Sequence, residues 1–163
     1  MGMKIICFSI FIALLIYVLY TTIREIVVKN RSKISFMESM NLTDLPVITF
    51  TNNDTKLNFL LDTGSDSSYI NNSILNNIQH TKLKSTTSVT GFEGNEVKCS
   101  LCKMQIAYKN KIFDEQFVIT DLDKAFGIIK ANSGVSIHGI LGNKFFKKYK
   151  YVIDFKDLVA YIK

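Results

Sequence analysis

The stretch Leu60-Leu61-Asp62-Thr63-Gly64-Ser65 decides how the rest of this chain is read. Two leucines close the apolar run Lys56-Leu-Asn-Phe-Leu-Leu, and an acid, a small hydroxyl residue and a glycine follow at once. A carboxylate at the end of a buried strand is rigidly held and partly desolvated. Thr63 can exchange hydrogen bonds that lock the loop, and Gly64 lets the backbone turn and approach closely without a Cβ clash. The same letters also describe an ordinary β-turn with an Asx hydrogen bond. The flanking segments bear on which reading applies.

Upstream, residues 46–51 alternate as a strand, Asn52-Asn53-Asp54 is a turn signal, and 56–61 runs back as the second arm of a hairpin. Downstream, 69–78 reads as one or two helical turns or an irregular loop. Residues 88–97 carry Gly91 and Gly94 between polar flanks, the composition of a hairpin tip. Strands are expected over 99–108 and 112–120, with 121–135 a longer connection. Then come a buried strand at 136–141, a short helix at 142–149, and closing strands 151–155 and 158–162 about Lys156-Asp157. No helical-period segment after the first two dozen residues is long, so the class is mainly β.

The order of hairpin, D-T-G-S, glycine-tipped hairpin, paired strands, Ile140-Leu141-Gly142, short helix and final strands resembles the retropepsin-like aspartic peptidases, over residues 45–162. The closing segment 145–155 is also similar to single-domain bacterial members. The resemblance implies a closed β-barrel of the acid protease fold with one short C-terminal helix. It makes Asp62 the catalytic aspartate, with Thr63 and Gly64 building the loop beneath it. Ser65 and Asp66 would lie along the substrate main chain, and Gly91, Phe92 and Gly94 would form a mobile flap tip. Ile140, Leu141 and Gly142 would support the D-T-G loop. Retroviral members usually follow that glycine with arginine, whereas Asn143 stands here. Aspartic catalysis needs two carboxylates and D-T-G occurs once, so the resemblance implies a homodimer acting on a polypeptide. A catalytically inactive peptide-binding or dimerisation module of the same fold is the alternative, since fold alone does not fix function.

The formal charge of +6 raises the question of nucleic acid, but the lysines are dispersed and no zinc-finger, RNP-like or helix-turn-helix signature accompanies them. Lys144, Lys147, Lys148 and Lys150 fit a solvated helix face. Cys99 and Cys102 form a C-x-x-C without the further ligands a zinc site needs. On a strand, residues three apart point to opposite faces, so these thiols are expected to diverge. His138, among apolar residues and glycine, reads as a hydrogen-bonded structural histidine. No metal site or cofactor is expected.

The first residues divide as a tail (1–4), a membrane anchor (5–23) and a stalk (24–40) before a domain at 41–163. Ile5 to Ile23 is an uncharged run of nineteen residues, roughly 28 Å at about 1.5 Å per residue. It lacks the small-x-small site of a cleaved signal peptide. Lys4 precedes it, and Arg24, Lys29, Arg31 and Lys33 follow with Glu25. The positive-inside rule leans toward a cytoplasmic domain, and the opposite orientation stays open.

Overall fold

The fold comes from a computed structural model that describes residues 2–31, 33–90 and 96–162. The chain divides into two units, Met1–Lys33 and Ile34–Lys163. The first is the helix α1 (Gly2–Arg31), whose side chains are described only for 10–24. Among the described residues no helix is long and apolar enough to cross a membrane. The anchor expected over 5–23 begins outside the described side chains.

The second unit opens with β1 (Ile34–Ser35) and α2 (Met37–Thr43), followed by β2 (Val47–Asn52), β3 (Thr55–Leu61) and β4 (Ser68–Asn71). A 3-10 helix (Asn72–Asn77) leads to β5 (Thr81–Thr90), β6 (Glu96–Tyr108), β7 (Lys111–Thr120) and α3 (Asp123–Ser133). The chain ends with β8 (Gly139–Leu141), α4 (Asn143–Tyr149), β9 (Tyr151–Asp154) and β10 (Val159–Ile162). Seven strands form one sheet in the order β2-β3-β8-β4-β7-β6-β5, with a further pairing of Thr51 in β2 to Ala107 in β6. A second sheet has the order β1-β10-β9.

Alternation drives the pairing. Leu57, Phe59 and Leu61 of β3 are buried, while the residues between them are not. Cys102, Met104 and Ile106 of β6 face the same core. Its centre is aromatic: Phe113 lies 5.5 Å from both Phe50 and Phe145 between ring centroids, and Phe59 lies 5.6 Å from Phe117. Burial of each such ring contributes about 2–3 kcal/mol. Cys99 packs in a different cluster from Cys102, so the two free thiols do diverge. Burial pushes the Cys102 thiol up to about 11.

Three expectations change. The second unit has three α-helices rather than one short C-terminal helix. Within the expected 121–135 connection, α3 starts where Asp121 Oδ1 accepts the Asp123 N–H at 2.9 Å. It ends at Gly134, whose φ of 76° suits glycine and whose N–H donates to Lys130 O at 2.8 Å. Phe126 of α3 is buried with Val47 and Ile137. Part of 69–78 is strand β4, not helix or loop. The expected stalk 24–40 ends early, because Ile34 and Phe36 are buried in the main core and Phe36 N–H donates to Leu158 O at 2.9 Å.

Candidate active site

The site is built where β8 inserts between β3 and β4, parallel to the first and antiparallel to the second. Leu60 and Leu61 pair with Ile140 and Leu141, so the two motifs separated by about eighty positions in sequence become neighbours. The next backbone contact is Asp62 N–H to Leu141 O at 3.0 Å, which continues the strand pairing to the acid itself. Asp62 is half-buried, and its Oδ1 accepts the Gly64 N–H at 2.9 Å. That bond is an Asx turn, so the local conformation and the resemblance coexist. Thr63 and Gly64 are exposed in the single chain.

Gly142 explains why the loop sits so close to the following helix. A Cβ built there would fall 2.3 Å from Ser67 O and 2.7 Å from Ser65 O. The first N–H groups of α4 would otherwise lack partners. Instead, Asn143 N–H donates to Ser65 O at 2.8 Å and Lys144 N–H to Asp66 O at 3.0 Å. The Asn143 side chain adds Nδ2–H to Thr63 O at 2.7 Å. The residue that departs from the retroviral arginine thus braces the loop within its own chain. The sequence marked position 143 only as a departure; the brace depends on a turn geometry that spacing does not reveal.

Asp66 and Ser67 are tied to the same helix. Lys144 Nζ lies 2.7 Å from Asp66 Oδ2 and donates to Ser67 Oγ at 3.0 Å. The Lys144 hydrogen bond and charge hold the Asp66 carboxyl below its usual range. Both side chains are exposed, so this pair orients more than it stabilises. Behind the loop, Ser68 Oγ donates to Glu115 Oε1 at 3.1 Å, and Lys148 Nζ lies 3.3 Å from Glu115 Oε2. Glu115 takes an inward position on β7 between Phe113 and Phe117, and burial raises its carboxyl, against the Lys148 charge. Lys148 also donates to Asp114 O.

The remaining expected residues separate clearly. Gly91, Phe92 and Gly94 lie outside the described residues; the β5–β6 hairpin is described up to the pair Thr90–Glu96. Ile140 and Leu141 pair with Leu60 and Leu61, next to Asp62. His138 Nδ1 accepts the Asn58 N–H at 2.9 Å, which fits a structural histidine, and burial lowers its pKa. Asp154 Oδ1 accepts N–H groups of Lys156 and Asp157 and so serves the β9–β10 turn. Among the described residues no three His, Cys, Asp or Glu gather to hold a metal ion.

A family model described as aspartyl protease matches residues 48–145. No curated protein matches the chain. Among solved structures, the EIAV protease in complex with the inhibitor HBY-793 is similar, at 24% sequence identity and a TM-score of 0.49. The match covers 66% of this chain and 90% of that one.

Proposed function

The chain belongs to the aspartyl protease family, whose model spans most of its folded unit, and from that premise we propose that it is a retropepsin-like aspartic endopeptidase acting as a homodimer. The observation that carries the reading is Asp62 itself, a half-buried residue at a strand end whose backbone N–H donates to Leu141 O, whose carboxylate accepts the Gly64 N–H, and whose loop is backed by the Gly142–Asn143 brace. One such acid cannot both accept and donate a proton in the same step. Two copies related by a two-fold axis would bring two Asp62 carboxylates to one site. The ionised one takes a proton from water as the water oxygen attacks the peptide carbonyl carbon. The protonated one gives its proton to the carbonyl oxygen. Collapse of the tetrahedral diol then breaks the C–N bond, as the Asp62 that took the water proton gives it to the amine nitrogen and the other Asp62 takes a proton from the diol.

The sheet β1-β10-β9 ends in two edge strands, β1 and β9, and a second copy would extend it by pairing at such an edge. Thr63, exposed beside Asp62, suits a contact made by the second copy. The Thr51–Ala107 pairing favours a sheet closed as a barrel. Membrane attachment through residues 5–23 belongs to the same proposal, supported by the uncharged run and by exposed apolar side chains from Ile10 to Ile23. It would confine both copies to one plane and raise their effective concentration.

The test is cleavage of a diverse peptide library by the full chain at mildly acidic and neutral pH. Cleavage that is lost in Asp62→Asn and blocked by a statine-type transition-state mimic supports the enzyme. Equal peptide binding by wild type and Asp62→Asn, with no cleavage by either, supports an inactive peptide-binding module instead.

A further inference from the structure

We infer that Tyr69 restricts this protein to small substrate side chains at one subsite on each side of the scissile bond, an inference that rests on the homodimeric endopeptidase reading. Tyr69 is the second residue of β4, opposite Ile140 of β8 and Val118 of β7. Its neighbours Ser68 and Ile70 turn inward, the first to Glu115 and the second into the main core. Alternation therefore sends Tyr69 to the other face. There it packs on Cys99, Leu101 and Val118, in a cluster joined by Leu83 and Val89. Leu83, Val89, Cys99 and Leu101 belong to β5 and β6, the two arms of the hairpin that would cover a bound peptide.

Ser65 and Asp66 lie four and three residues before Tyr69, and burial and the Asp66 charge raise the pKa of the phenol. The ring thus lies against the hairpin arms, four residues along the chain from Ser65, the residue expected beside the substrate main chain. An extended peptide running past Ser65 and Asp66 turns alternate side chains toward this wall. Most of that wall is already filled by a phenol. A substrate side chain of the size of glycine, alanine or serine fits beside it. Leucine would have to displace the ring from the cluster and expose its apolar face. The two-fold axis gives each copy one Tyr69, so the restriction falls at equal distances on both sides of the cleaved bond.

The test uses the full chain and uncleavable statine-containing peptides that differ only in alanine or leucine at each position. Wild type should bind the alanine peptide about tenfold or more tightly than its leucine partner at two symmetric positions. Tyr69→Val should reverse that preference, and Tyr69→Phe, which keeps the ring, should retain it. A wild type that binds leucine as well as alanine at every position overturns the inference, whether or not the variants fold. So does a folded Tyr69→Val with the wild-type ratio, or a panel that binds nowhere. Failure of the endopeptidase reading shows separately, as library cleavage by Asp62→Asn equal to wild type, because the binding ratios do not require turnover.

Discussion

Replacing Gly142 by alanine adds one methyl group where backbone already stands. The new Cβ would lie 2.3 Å from Ser67 O, 2.7 Å from Ser65 O and 2.8 Å from the Ser67 carbonyl carbon, against an ordinary contact of at least 3.4 Å. No flexible side chain can absorb this shortfall of about 1 Å; the 65–67 backbone must move. The φ of −105° is open to any residue, so the effect is steric and not conformational. Overpacking of this kind costs about 1–3 kcal/mol. Moving the loop also strains the bonds that Ser65 O and Asp66 O accept from Asn143 and Lys144, each worth about 1 kcal/mol. A total of about 3 kcal/mol should lower Tm by roughly 6–12 °C in a chain of this size. Thermal unfolding followed by circular dichroism reads this directly, with Gly127→Ala as control. Gly127 sits inside α3 with nothing within 4 Å of its Cβ position, so alanine there should be neutral or stabilising by up to about 1 kcal/mol. A Gly142→Ala protein that melts with wild type and cleaves normally would refute the argument that this close approach shapes the Asp62 loop.

Other perturbations probe the surrounding contacts. Asn143→Ala removes the Nδ2–H bond to Thr63 O and should lower kcat about tenfold, corresponding to about 1.4 kcal/mol, with KM little changed; steady-state cleavage kinetics separate the two. Stability should respond to pH through two residues with opposite signs. Burial depresses the His138 pKa in the folded state, so its contribution is full above the unfolded value of 6.5 and falls as pH drops below it. Burial raises the Glu115 pKa, so its contribution is full below the unfolded value of 4.5 and is lost as pH rises through the folded one. Urea titrations between pH 4 and 8 should show the alkaline-side loss disappear in Glu115→Gln and the acid-side loss disappear in His138→Gln. Phe145→Ala, at a fully buried ring touching Phe50, Phe113 and Tyr151, should destabilise by about 3–5 kcal/mol in the same titrations.

Strands that alternate, and turns with a strong local signal, are legible in the sequence. The hairpin of β2 and β3, the pair β6 and β7, and the closing β9 and β10 follow from period-two patterns at Leu57, Phe59 and Leu61 and their counterparts. The adjacency of Asp62 to Leu141 came from a resemblance, not from spacing, because a parallel pairing over so long a separation leaves no local trace. Helix α3 was hidden by the interior Gly127 and a mixed pattern, although Asp123 in its first turn and Gly134 at its end are ordinary boundary residues. Strand β4 leaves no such signal, because a stretch of four residues, three of them buried, shows no clean alternation. Without that strand the direction of Tyr69 is not legible either. Ile34 and Phe36 looked like isolated apolar residues in a polar stretch, and only the β1–β10 pairing accounts for their burial. The Glu115 position could be suspected as an acid in an inward place of an alternating strand, yet its partners Ser68 and Lys148 come from distant segments.

The proposed homodimer needs Asp62 from two chains in one active site, and subunit mixing tests that requirement. Wild type and Asp62→Asn are combined at constant total protein, allowed to exchange subunits, and assayed for peptide cleavage. If only pairs with two Asp62 carboxylates turn over, an equal mixture should retain about a quarter of the wild-type rate, the square of the wild-type fraction. Retention of about a half, linear in that fraction, would mean that each chain acts alone and would contradict the account.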